Sequence, residues 1–282
     1  MRQNSIAPLL ASLASIVARP GAVPEPVLRV ALQLLGQRVH VPPTGPAAQV
    51  LEAAVAKSGV YLEAGLAKGA PAADLKSGLV ALKGALAAWA GGTPEPISPA
   101  RQVAPPLRGL PPRAEAPELP PLPDVPREAA RALHGQADAA LSRIKLMQLA
   151  SLPDGDAPRA APPELRVEVP FLIGQELVMA QFQVLREGAR RRAESKRGWT
   201  MRFAMNFAAT GEVGAEVGLL GRAVNVALWA TDPETAASLE AALPELAPAL
   251  AAIDLEPGAV RVRALPPAAA TPASGQYVDS RR

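Results

Sequence analysis

The side chains that could carry chemistry are few in this sequence. Its 282 residues include two histidines, His40 and His134, and no cysteine. That removes disulfides, thiolate nucleophiles and cysteine-ligated metals. It also suits a chain that crosses compartments unfolded, since nothing in it can be wrongly oxidised. His40 sits in an X-Pro-rich setting and His134 flanks the apolar stripe of a helical segment, so the two are not expected to share a metal. A Ser/His/Asp arrangement needs a histidine beside its nucleophile, and the best-patterned stretch, residues 199–262, holds none. There is no Walker loop and no GxGxxG after a strand. Glu212, Glu216, Glu234, Glu240 and Glu245 read as solvating carboxylates on polar faces, and Gly211, Gly214, Gly218 and Gly221 as sheet and turn glycines. No residue is nominated as catalytic, cofactor-binding or metal-ligating. The expectation is a protein that acts by contact, without catalysis or cofactor.

Charge points the same way. The formal net charge is +3, too small and too spread to imply nucleic acid. Its one cluster is Arg186, Arg190, Arg191, Arg192, Lys196 and Arg197, interrupted by Glu187 and Glu194. With no RNA-binding aromatic motif or helix-turn-helix pattern beside it, the cluster reads as a solvated loop between two strands. Every long apolar run is broken well short of the ~20 residues needed to cross a bilayer, so no membrane insertion is expected. The N-terminus loosely resembles a secretory signal, but Pro8 and several serines dilute it, and a short amphipathic helix with Leu9, Leu13 and Ile16 or Val17 on one side fits better.

The elements that must position any binding surface fall into two halves. Residues 1–92 read as a helical region. A second helical piece places Leu28, Leu32 and Leu35 at helical spacing. A third spans residues 47–69 with a break at Ser58-Gly59, and a fourth spans 73–90 with Leu75, Leu79, Leu82 and Leu86 in one stripe. Asp74 favours the start of the fourth through the helix dipole. These pieces could make a small helical bundle or be marginal, because short Ala-rich helices need tertiary contacts to persist, and the packing expected of this half is loose. Residues 93–126 form a Pro-rich linker, part of the chain's 32 prolines, expected to be extended, solvated and on the order of 100 Å long at ~3.1 Å per residue. Residues 127–153 read as a helix with Leu133, Ala137, Leu141 and Ile144 as its stripe.

Residues 165–264 carry the period-2 signal of half-buried strands. Two strands fall within 165–186, joined at Ile173-Gly174-Gln175. Met201, Phe203, Met205 and Phe207 make one face of the next strand, Val213, Ala215, Val217 and Leu219 of the one after, and Val224, Val226 and Leu228 of a third. Consecutive short strands predict an antiparallel meander. Thr231 or Asp232, then Pro233 and Glu234, form a helix start. Ala236, Leu239, Leu243, Leu246, Leu250 and Ile253 give one apolar side for the sheet. Pro244 should kink or restart this helix, Asp254 stands where a left-handed terminating residue belongs, and Val260 and Val262 suggest a last strand. Residues 265–282 read as a flexible tail. The fold class expected is therefore α+β: a helical N-terminal half, a Pro-rich linker, and a C-terminal antiparallel sheet with one kinked helix packed on it.

The run GEVGAEVGLLGRAVNVALWATDPETAASLEAALPELAPALAAIDLEPGAVRV resembles the C-terminal domain of flagellar hook-length control proteins. The pattern shared is a GxV strand (Gly211 to Val213), a strand ending Leu228-Trp229, a polar-Pro-Glu-Thr helix start (Asp232 to Thr235) and an L-x-x-x-L-P-x-L helix (Leu239 to Leu246). SGVYLEAGLAKG with DLKSGLVAL, and ALSRIKLMQLASLP leading into LRVEVPF, are similar to upstream segments of the family and fall in the same order. Ala247, Pro248 and Asp254 depart from its usual basic residue and closing glycine.

The resemblance implies a protein exported through the flagellar type III apparatus from the cytoplasm to the growing hook. Its N-terminal region would meet hook and hook-cap subunits and its extended middle would measure. Its C-terminal domain would contact the cytoplasmic domain of the export-gate switch protein. Carried over by motif, the switch-contact residues are Val213, Ala215 and Leu246, which by spacing alone are also ordinary core positions. A non-flagellar adaptor or scaffold with a sheet-helix binding module on a tether is the alternative.

Overall fold

The computed structural model describes residues 5–19, 21–42, 45, 48–69, 71, 73–92, 111–114, 121–152, 164–186 and 198–263. In chain order the elements are α1 (Ala7–Val17), α2 (Glu25–Leu35), β1 (Val39–Val41), α3 (Ala48–Ala56), α4 (Leu62–Ala67), α5 (Leu75–Ala90), α6 (Pro126–Ser151), β2 (Glu164–Ile173), β3 (Glu176–Arg186), β4 (Gly198–Phe207), β5 (Gly211–Leu220), β6 (Ala223–Ala230), α7 (Pro233–Ala252) and β7 (Glu256–Arg263). The class is α+β, with most helices before the sheet.

Local chemistry accounts for the helix ends. Asp74 caps α5 by accepting from the Ser77 N–H at 2.8 Å, and the Ser77 hydroxyl accepts from the Asp74 N–H at 3.1 Å. This reciprocal box satisfies donors that the first turn otherwise leaves open. The expected break after α3 falls at Gly59, whose φ is 89° and whose missing Cβ would lie 2.7 Å from Lys76 Cβ. Only glycine meets both demands. Lys76 on α5 then reaches Glu63 on α4 and Gln148 on α6, tying three helices together.

The helical half is not a loosely packed tether. The leucine stripe of α5 meets Leu9, Leu13 and Ile16 of α1 and Leu133, Ala137, Leu141 and Ile144 of α6 in one apolar cluster. In α2 the buried residues are Val27, Ala31, Leu34 and Leu35, while Leu32 is 51% exposed. Of the expected Leu28, Leu32, Leu35 stripe, Leu35 lies in the core, Leu28 is half-buried and Leu32 turns outward. Leucines line more than one side of this helix, and packing against α1 and α5 selects between them.

The sheet has the order β1-β2-β3-β4-β5-β6-β7. The expected antiparallel meander covers β2 to β6, but both edges add a parallel strand, β1 on β2 and β7 on β6. The antiparallel description is corrected there. A parallel neighbour needs a crossover, which α7 supplies for β7. The strand β1, Val-His-Val, is too short to show a period and lies within the region read as helical. Helix α7 runs without a restart through Pro244 and Pro248. It ends as expected, with Asp254 at φ 65°, Leu255 N–H donating to Leu250 O and Asp254 N–H to Ala251 O, the Schellman pattern.

Most of the Pro-rich linker, the basic loop at 187–197 and the C-terminal tail lie outside the described residues. The linker residues 111–114 are described, and they depart from the solvated reading: Pro111, Pro112 and Ala114 are buried.

Candidate partner-binding surface

Strand alternation gives the sheet two chemically different faces. One carries Phe182 and Val184 of β3, Met201, Phe203 and Met205 of β4, Val213, Ala215, Val217 and Leu219 of β5, and Val224, Val226 and Leu228 of β6, placed side by side by the register. Phe171, Phe182 and Phe203 run across it, with ring centroids 6.3 and 5.9 Å apart. At one edge Leu51, Ala54 and Val55 of α3 cover this face in a cluster with Val39, Val167, Val169 and Phe171. At the other edge α7 packs on β6 and β7. Val224 and Val226 are buried while Asn225 between them is exposed, so α7 lies on the valine face. Between the two helices, Met201, Phe203, Met205, Val213, Val217 and Leu219 are only half-buried. The result is an apolar trough floored by β3–β5, about 10 Å across at two strand spacings.

The three expected contact residues occupy different parts of this surface. Val213 is half-buried on β5, opposite Met205 and Ala230. Leu246 is half-buried on α7, the trough's far wall. Ala215 shares the face of Val213 but is 1% exposed, between Phe203 and Leu228 in the floor. Helix α7 is set by Asp232, whose carboxylate accepts from the Thr235 N–H at 2.7 Å and the Thr235 hydroxyl at 2.6 Å. Those bonds, the hydroxyl's first, hold the Asp232 carboxyl below its usual range.

The opposite face carries the sheet's buried polar side chains, beside the apolar Met179, Ala204 and Trp229. Arg202 pairs with Glu216 at 2.7 Å, Gln183 donates to Glu164 at 2.8 Å, and Arg166 pairs with Glu164 at 2.6 Å. Here α6 docks through Arg143, 6% exposed, on Glu168, 2% exposed, at 2.8 Å. Both charges are out of water, so each needs the other.

Sequence reasoning missed two features. Glu212, read as a solvating carboxylate, is buried and bonded to Arg113 and Ala114. Alternation does place it on the polar face, but no local signal shows that a distant segment covers it. His134, read as a flank residue, is also buried. Among the described residues no three of His, Asp and Glu gather as metal ligands, and no helix is long and apolar enough to cross a membrane.

Comparison with known proteins bears on the same region. Residues 187–270 match the family model described as flagellar hook-length control protein FliK, so the C-terminal region carries the domain of that family. The match takes in β4 to β7 and α7 and leaves out β1 to β3 and the helical half. No curated protein and no solved structure matches the chain.

Proposed function

We propose that the chain controls flagellar hook length and switches the substrate specificity of the type III export apparatus, by protein contact and without catalysis. The observation that carries this reading is the half-open apolar trough on the domain that matches the family. It borders Val213 and Leu246, the residues the family motif nominates, while Ala215 shapes its floor by being small. An unfilled apolar surface of this kind, walled by helices, suits a protein partner. The partner proposed for it is the cytoplasmic domain of the export-gate switch protein. The N-terminal half is proposed to meet hook and hook-cap subunits during transit from the cytoplasm through the apparatus. A packed helical half must then unfold before passage, which a chain without cysteine does with no covalent bond to break.

Deleting the gene should give overlong hooks that lack filaments, and normal filaments in the deletion strain would overturn the reading. Complementation then tests the site. Leu246→Asp should be exported and keep its circular dichroism, yet leave filaments absent. If Leu246→Asp switches normally, the trough is not the contact.

A further inference from the structure

On the polar face, opposite the trough, part of the Pro-rich tract is held by a built receptor. The side chain of Glu212 is 5% exposed. It accepts from Arg113 Nε at 3.1 and 3.0 Å, from Arg113 Nη2 at 2.9 Å and from the backbone N–H of Ala114 at 2.8 Å. Asn206 Nδ2 donates to the Ala114 carbonyl at 3.3 Å. Both backbone groups of Ala114 are thus read by side chains of the sheet. Its methyl group packs in a cluster with Ala204 and Trp229. The indole fits against β5 because residue 214 is glycine: a Cβ there would fall 2.2 Å from Trp229 Cζ2. The Trp229 Nε1 is buried without a partner among the described residues. The receptor is fixed independently of its ligand. Thr231 Oγ1 accepts from the Glu212 N–H at 3.0 Å, and the Thr231 N–H donates to the Glu212 carbonyl at 2.9 Å.

We propose that Glu212, Asn206 and the Ala204–Trp229 floor form a docking site for an extended, proline-flanked peptide bearing one arginine, occupied in cis by residues 111–114 as a releasable strap. The chemistry selects this ligand class. A buried carboxylate demands a cation, and a guanidinium answers both oxygens. Prolines arrive preordered in the extended form and lose little entropy on docking. The arginine end is releasable because the Arg113 side chain is 57% exposed, so water competes for it. The strap divides the Pro-rich tract, pinning its middle to β4 and β5 some 98 residues away in sequence.

The test uses the full chain and no flagellar readout, so it stands apart from the function proposed above. Under native conditions trypsin should cut the Arg113–Ala114 bond slowly in the wild type. Measured relative to the same bond in the free peptide of each sequence, cleavage should be about tenfold faster in Glu212→Gln and in Arg113→Lys, which keeps the charge but loses the fork. Arg113→Lys alters only an exposed side chain and so guards against misfolding of the buried variant. In a second arm, residues 111–114 are replaced by Gly-Ser-Gly-Ser in the full chain. That chain should bind a synthetic peptide of residues 109–116, whose one arginine is Arg113, and not the same peptide carrying Arg113→Ala. Equal normalised cleavage of wild type and Arg113→Lys, or equal binding of the two peptides, overturns the proposal.

Discussion

Buried His134 shows how a side chain's role depends on what packs around it. Burial holds its imidazole below the usual value of 6.5, the charge of Lys83 adds to this, and Asp138 opposes it. A histidine with a depressed pKa is neutral in the fold and takes up a proton more readily when unfolded. Its contribution is therefore fully present above the unfolded value and is lost as pH falls through the folded one. Urea unfolding of the wild type should show lower stability at pH about 5 than at pH about 7.5, and His134→Leu should flatten that difference. An unchanged slope in the variant would assign the pH dependence to other groups. The sequence places His134 one position from its helix stripe but cannot say that neighbouring helices close over it.

At the scale of elements, caps and breaks were legible and packing faces less so. The start of α5 at Asp74, the interruption at Gly59 and the end of α7 at Asp254 all follow from local backbone chemistry and appear where residue type puts them. Asp74→Ala should cost about 1 kcal/mol of stability in denaturant titration, and Asp74→Ser should recover most of it. A null effect would mean that α5 is held by its leucine stripe alone. The buried side of α2 was legible only in part, at Leu35, because leucines on more than one side of a helix offer alternative stripes. β1 was missed because a three-residue strand exists only through its pairing with β2.

In the whole molecule, the helical half and the sheet are joined through their interiors. The Arg143–Glu168 pair ties α6 to β2, and Met179 of β3 belongs to the helical core cluster. The two halves should therefore unfold together. Far-UV circular dichroism, dominated by the helices, and tryptophan fluorescence should give coincident urea transitions. Trp89 packs against the helical cluster and Trp229 lies buried in the sheet, so fluorescence samples both. Separated transitions would show that the interface does not couple them. Such coupling would also mean that the export proposed for the chain requires one global unfolding event.

The sequence by itself determined the α+β class, the strands from β2 to β6, the start and end of α7, and the likeness of the C-terminal region to hook-length control proteins. These rest on period, turn residues and caps, which are interactions between near neighbours in the chain. Only the tertiary structure decided that the helical half is well packed, that both sheet edges are parallel, that an apolar trough stays open between α3 and α7, and that Glu212 is covered by residues 111–114. Each of those depends on groups far apart in sequence. Whether an apolar residue is core or contact surface, or a carboxylate is solvated or buried, is settled by what the rest of the chain lays over it.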